Sequence, residues 1–437
     1  MELSTPILTL CALYLVGLPV RALGLRVGVP AAVSLMALGA VAGSSAIGLL
    51  PETTSVAGAS LDTFNWHSLR MVLSQGAFVV LLLRAGFALP PVGLRAVVLP
   101  GLVFGTLPVA VEVLAVSGLS RAFLFGRADM ALLCGFLIAA VSPAVVLPIM
   151  LELKDRGRGT RRLVPDRIMA QTLVNVFIAQ NGILIMTDVL CPPAGGADTL
   201  RTLSLLPFSL LGGLLVGSTT GWLLRIDGLV LGPSEPSKRN VYGAALIALA
   251  GAAAVYFGCR SLSLENVFAT LAVGVVLRRR LDAVEPALRT ALKRFWQVAE
   301  IVLFVNLGSQ VDLGRLSDPT LIALLIGILA VALALRTVLA GALSLKTVLT
   351  GDERRYTVVA NLPKATVQAV FGAYPLTIFL ARCPDDIALI DNGYLLLIFA
   401  VVAIVATTPI GAVLLDRLGS RWLRAQEPDS AHPASQP

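Results

Sequence analysis

Apolar runs long enough to span a bilayer recur along almost the whole chain, and no other feature restricts its fold so severely. A helix needs roughly 20 apolar residues, at 1.5 Å each, to cross the hydrocarbon core. Turn residues and charges divide the sequence into thirteen such runs, near 6–24, 28–50, 68–89, 96–118, 129–151, 165–190, 203–224, 241–258, 264–277, 295–311, 318–344, 356–381 and 393–416. Only 14% of the residues are charged and 57% are hydrophobic, where an ordinary soluble domain carries about 25% charged residues. A water-soluble globular fold is therefore excluded. The expected class is an all-α, polytopic membrane protein, one transmembrane domain over residues 1–425, with a polar tail at 426–437 that reads as disordered and cytoplasmic.

The 34 Lys and Arg outnumber the 26 Asp and Glu, for a net charge of +8. They lie in short loops and form no nucleic-acid patch. Loops after odd-numbered segments, with the tail, hold 24 of the 34, loops after even-numbered segments hold 7, and three fall inside apolar runs. The positive-inside rule then places the N-terminus on the non-cytoplasmic side and the C-terminus in the cytoplasm. The first run has no basic stretch before it and no small-residue cleavage site after it, so it reads as a membrane helix and not as a removable signal. Cys11, Cys134, Cys191, Cys259 and Cys383, with His67 and His432, show no spacing that marks a metal site or a disulfide framework. No cofactor is expected. No HExxH, P-loop or GxSxG pattern is present, and Gly157-Arg158-Gly159 lies in a basic loop, so the chain does not read as an enzyme.

Four charges sit at membrane depth: Arg84, Glu112, Arg336 and Lys364. A charge at the centre of a spanning helix costs about 2.5 to 3.5 kcal/mol even on the lenient insertion scale, so such residues carry function or an obligatory partner. Arg84, near a segment end, is expected to snorkel to the interface. The fifth segment contains Ser142-Pro143 and Pro148; the twelfth contains Pro363, Lys364, Thr366, Gln368, Gly372 and Pro375. Irregular backbone survives in a bilayer only inside protein or along a wet cavity, so both read as broken helices. They stand an odd number of segments apart and so cross in opposite directions. Paired broken helices in inverted repeats point to a secondary transporter with its site at the repeat interface; plain proline kinks in a packed bundle are the bland alternative.

Several runs resemble the NHA branch of the sodium/proton antiporters, solute carrier family 9 subfamily B: ANLPKATVQAVFGAYPL, TTPIGAVLLDRLG, GFLIAAVSPAVVLPIMLEL, LVPDRIMAQTL and VVLLLRAGFAL. The likeness extends over nearly the whole chain. It implies exchange of Na⁺ or Li⁺ for protons across a lipid bilayer by a homodimer. Each protomer would carry a core near 96–190 and 318–416 that moves in an elevator-like manner against dimerisation helices, mainly near 6–50 and 203–277. An additional N-terminal helix occurs in this branch, and the chain is expected to start after it. Glu112 matches the family's membrane-buried glutamate, Arg336 the arginine that pairs with it, and Lys364 the lysine of the PKATVQ run. Two departures stand out. Asn175-Val176 occupies the place of two consecutive aspartates that bind the cation and exchange protons, and Gln310 stands where the family tends to carry glutamate.

Asn175 offers a neutral amide oxygen, a hard ligand that does not titrate, and Val176 offers nothing. Gln171 lies one helical turn from Asn175, and Ser142 and Thr366 are expected nearby if the broken helices cross. Three readings stay open. Glu112 titrates while Asn175, Gln171, Ser142 and Thr366 act as neutral ligands, giving cation/proton antiport with altered or reduced coupling. Alternatively the chain is a transport-incompetent regulatory or structural paralogue, able to form a heterodimer with an intact relative. In the third reading Arg336 and Lys364 make the site cationic, as in an anion transporter or channel. Gln171 and Asn175 also fit a bland role as interhelical hydrogen-bonding glue.

Overall fold

The computed structural model describes residues 4–43, 66–89, 94–193, 199–224, 226, 238–281, 285–310, 314 and 318–425. Their helices run, in chain order, α1 (Ser4–Arg26), α2 (Ala31–Ala42), α3 (Trp66–Ala88), α4 (Leu94–Ser120), α5 (Ala128–Ala139), α6 (Pro143–Asp155), α7 (Val164–Leu190) and α8 (Thr199–Leu223). They continue with α9 (Lys238–Ser261), α10 (Val267–Arg280), α11 (Glu285–Gly308), α12 (Pro319–Ser344), α13 (Gly351–Val359), α14 (Thr366–Phe371), α15 (Tyr374–Arg382) and α16 (Ile387–Trp422). Extended pairing among the described residues is confined to one isolated bridge, Arg158 to Ala425. Among the described residues, eight helical stretches are long and apolar enough to cross a membrane, including Ala128–Asp155, which joins α5 and α6, and the 36-residue Ile387–Trp422.

Local chemistry explains where the elements start. Pro319 opens α12 just after Asp318, whose carboxylate accepts from Thr320 N at 2.9 Å and Leu321 N at 3.2 Å. These amides would otherwise be unpartnered. A capping box of Thr350 and Glu353 opens α13, and Asp386 caps α16 through Leu389 N at 2.9 Å.

Two groups of helices pack more closely within themselves than with each other. One contains α4 to α7 and α12 to α16; the other contains α1 to α3 and α8 to α11. In the second group α3 and α10 approach until backbone meets backbone: a Cβ on Gly86 would collide with the Leu271 carbonyl, and one on Gly274 would lie 2.7 Å from Phe87 N. Across the boundary, Phe78 of α3 stands edge-on to Phe371 of α14, with ring centroids 5.9 Å apart.

Among the described residues, the expected segments overlap helices or broken helices in chain order. The fifth is α5 plus α6, and the twelfth divides into α13, α14 and α15. The tenth begins earlier than expected, because α11 extends through the basic stretch from Glu285. Residues 44–50 of the second segment and the tail 426–437 lie outside the described residues. Arg84 is buried by other helices at 8% exposure, against the expectation of a snorkelling, exposed side chain.

The cysteine expectation is corrected outright. Cys191, just past α7, and Cys383, just past α15, form a disulfide with Cα atoms 6.2 Å apart, within bonding range. Asp188 and Arg382 pair at 2.7 Å beside it. A sequence separation of 192 residues leaves no spacing signal to read. Cys11, Cys134 and Cys259 are free. Denatured protein should therefore take up three maleimide-polyethylene glycol adducts unreduced and five after reduction, read by gel mobility. Cys191→Ser should lower stability by about 2 to 4 kcal/mol, read as a fall in melting temperature in detergent.

Candidate ion site

The two broken helices cross at their breaks. α5 stops at Ala139, and the chain turns through Ala140, Val141 and Ser142 before Pro143 opens α6. In the second half, Ala360 to Ala365 separate α13 from α14. Ser142 N donates to Pro363 O at 2.8 Å, and the hydroxyls of Ser142 and Thr366 lie 2.8 Å apart. Ala144 N donates to Thr366 Oγ1 at 3.3 Å, and Thr366 N to Ser142 Oγ at 3.3 Å. The second break is anchored to α16, where Lys364 N donates to Thr407 Oγ1 at 3.0 Å and Thr408 Oγ1 donates to Lys364 O at 2.6 Å.

Beside this crossing lies a charge cluster with no exposed member. Arg336, on α12, pairs with Glu112, on α4, and donates through Nη1 to Ala139 O at 2.6 Å. Its Nη2 donates to Asn175 Oδ1 at 2.7 Å and to Asn361 Oδ1 at 2.9 Å. Lys364 Nζ lies 2.8 Å from the Glu112 carboxylate and donates to Ala139 O at 2.9 Å. Glu112, Asn175, Arg336 and Lys364 are each 0% exposed. One carboxylate thus faces two cations, and the balance is helped by the carboxyl-terminal pole of α5, presented at Ala139 O.

Asn175 is engaged at both ends of its amide. While Oδ1 accepts from Arg336, Nδ2 donates to Gly105 O and to Gln171 O, both at 3.0 Å. Gln171 joins only through that carbonyl; its own Nε2 is buried without a partner. Val176 is buried and adds no polar atom. Gln310 lies elsewhere, at the end of α11, donating to Asn306 O at 2.9 Å.

The expected site residues therefore sort into a charge cluster (Glu112, Asn175, Arg336, Lys364) and a hydroxyl pair (Ser142, Thr366), with Gln171 at the margin. Sequence reasoning paired Glu112 with Arg336 but missed Lys364 as its second partner. It also missed Asn361, Gln368, Thr407 and Thr408. Each stands inside a run that had already been marked, and a tally of neutral polar side chains at membrane depth would have found them.

Paired inverted breaks around buried charge define a secondary-transporter fold. The transmembrane sodium/hydrogen exchanger family model matches residues 8–415, and the chain belongs to that family. Sodium/hydrogen exchanger 9B1 of Macaca fascicularis is 26% identical over 362 residues, covering 82% of this chain and 68% of that protein. Sodium/hydrogen exchanger 9B2 of Mus musculus is 28% identical over 366 residues, covering 83% and 64%. Among solved structures, the sodium proton antiporter MjNhaP1 from Methanocaldococcus jannaschii shares the fold with a TM-score of 0.70 over 97% of this chain and 99% of its own, at 15% identity. The protein is an integral multi-pass membrane protein of an antiporter family.

Because Glu112 serves two cations, its loss and that of Arg336 should differ. Breaking a buried ion pair costs about 3 to 5 kcal/mol, mainly from the charge left behind. Glu112→Gln strands Arg336 and Lys364 together, whereas Arg336→Gln leaves Glu112 with Lys364. The expected order of melting temperatures in detergent is parent, then Arg336→Gln, then Glu112→Gln, with the double variant above the additive sum. Equal single losses that add fully would contradict the shared cluster.

Proposed function

We propose that the protein is a secondary transporter of the monovalent cation/proton exchange type whose proton coupling is reduced. One observation carries this reading: Glu112, the carboxylate at the crossing, is held by both Arg336 and Lys364, while the position expected to titrate is the amide of Asn175. Coupled exchange needs a group that holds either a proton or the cation in turn. A proton or cation arriving at Glu112 meets a carboxylate already shared by two buried cations, Arg336 and Lys364, and an amide does not titrate. The crossing breaks and the hydroxyls of Ser142 and Thr366 still supply hard oxygen ligands for Na⁺ or Li⁺.

The rest of the assignment follows the same lines. The helix group α4 to α7 with α12 to α16 acts as the moving core, and the other group as the dimerisation scaffold. Exposed Phe208, Leu211, Leu215 and Trp222 on α8 suit a helix that meets lipid or a second protomer. The disulfide supports the orientation read from the loops. Both cysteines follow even-numbered segments, on the side assigned as non-cytoplasmic, where disulfides persist.

The test is tracer Na⁺ or Li⁺ uptake into proteoliposomes with an internal pH dye. The parent should take up cation with little accompanying pH change, and Asn175→Asp with Val176→Asp should couple uptake to proton efflux. An aspartate at 175 keeps one oxygen on Arg336 and turns the other toward the carbonyls of Gly105 and Gln171. There a proton, and equally a cation, relieves the repulsion. Tight coupling in the parent would mean that Glu112 titrates despite its partners. No uptake by either folded protein would favour the transport-incompetent paralogue.

A further inference from the structure

The last carbonyls of a helix have no partner within it, and in a dry membrane interior water does not supply one. At the end of α5 they are met from the other half of the chain. Ala139 O accepts from Arg336 and Lys364. Leu137 O, Ala140 O and Ile138 O all accept from Gln368 Nε2, at 2.9, 3.0 and 3.3 Å. Gln368 is 0% exposed, on α14, two residues past Thr366. Its two amide hydrogens are shared among three carbonyls, and its Oε1 has no partner.

The bonds of Arg336 and Lys364 depend on charge, so any change in the protonation of Glu112 or in bound cation redistributes them. Those of Gln368 do not. An uncharged donor at the break of one helix, rooted in the other, keeps the two in register while the charges beside them rearrange. We propose that Gln368 is the positioning residue of the exchange site. It holds the α5–α6 break against α14 and so fixes where the hydroxyls of Ser142 and Thr366 stand. This rests on the exchange reading for what the site does, but the contact itself is tested apart from transport.

Gln368→Met keeps the length and removes the donors. Deuterium exchange followed by mass spectrometry should rise about tenfold in peptides covering residues 139–146 and 361–368, with α12 unchanged. Tracer Na⁺ uptake should show KM raised about tenfold and the maximal rate within about twofold, because the ligands are displaced while the moving body stays intact. Gln368→Glu gives the second readout. Protonated, it donates one hydrogen bond; ionised, it donates none and faces three carbonyls. Its uptake relative to the parent should therefore fall as pH rises. Unchanged exchange at the two breaks, or an equal rise in every helix, would overturn the proposal. So would a parental KM in Gln368→Met, or a pH-independent ratio for Gln368→Glu. If the parent carries no cation, the exchange reading fails, and deuterium exchange alone still decides the role of Gln368.

Discussion

Backbone that leaves a helix inside a membrane protein must find its hydrogen bonds elsewhere in the protein, and the rest of this structure answers to that requirement. The carbonyls of Leu137 to Ala140 are met by Arg336, Lys364 and Gln368, all from the second half of the chain. The break before α14 is met in return by Ser142 from the first half and by Thr407 and Thr408 of α16. The first break is met from the second half, and the second break draws on both halves. The crossing is therefore a joint product of both repeats, and a substitution on one side is felt as an orphaned backbone group on the other.

The same requirement sets the charge pattern. A helix that ends in the interior presents a negative pole, and Arg336 and Lys364 approach that pole at Ala139 O. Two cations need more than the roughly half charge of a helix pole, and Glu112 adds one full negative charge. The acid is thus tied to the fold of the break as well as to any ion, which is the physical ground for reading its proton coupling as weak.

Much of this was legible because membrane burial is written in local composition. The apolar runs, the prolines at both breaks and the charges at depth are properties of short windows, and among the described residues they fell on helices or at the breaks. What escaped was pairwise and distant. Cys191 and Cys383 are 192 residues apart, and Gln368 reaches carbonyls 228 to 231 residues earlier in the chain. Nothing in a window around Gln368 separates a side chain that closes a helix end from one that faces lipid-side neighbours. Arg84 was misjudged for the opposite reason: its place near a segment end was local and clear, but the packing that buries it comes from other helices. α11 and the C-terminal end of α16 ran longer than their apolar runs, since helix propensity continues into basic stretches where hydropathy stops.

Every strong bond of the cluster joins α4, α5, α7, α12, the second break and α16, which belong to one helix group. Contacts between the groups are of another kind: Gln180 Nε2 to Asn266 Oδ1 at 2.7 Å, Arg260 to the Tyr374 hydroxyl at 3.3 Å, and Arg289 to Asp155 at 3.2 Å on the surface. The first pairs two neutral amides, and the third stands in solvent, where ion pairs contribute about 0 to 1 kcal/mol. Sliding one group against the other would exchange these contacts and apolar packing such as Phe78 on Phe371, while leaving the buried charge cluster intact. That division of strength, with the expensive bonds inside one body and weaker ones at its boundary, is the observation that supports the proposal of a core moving as a unit.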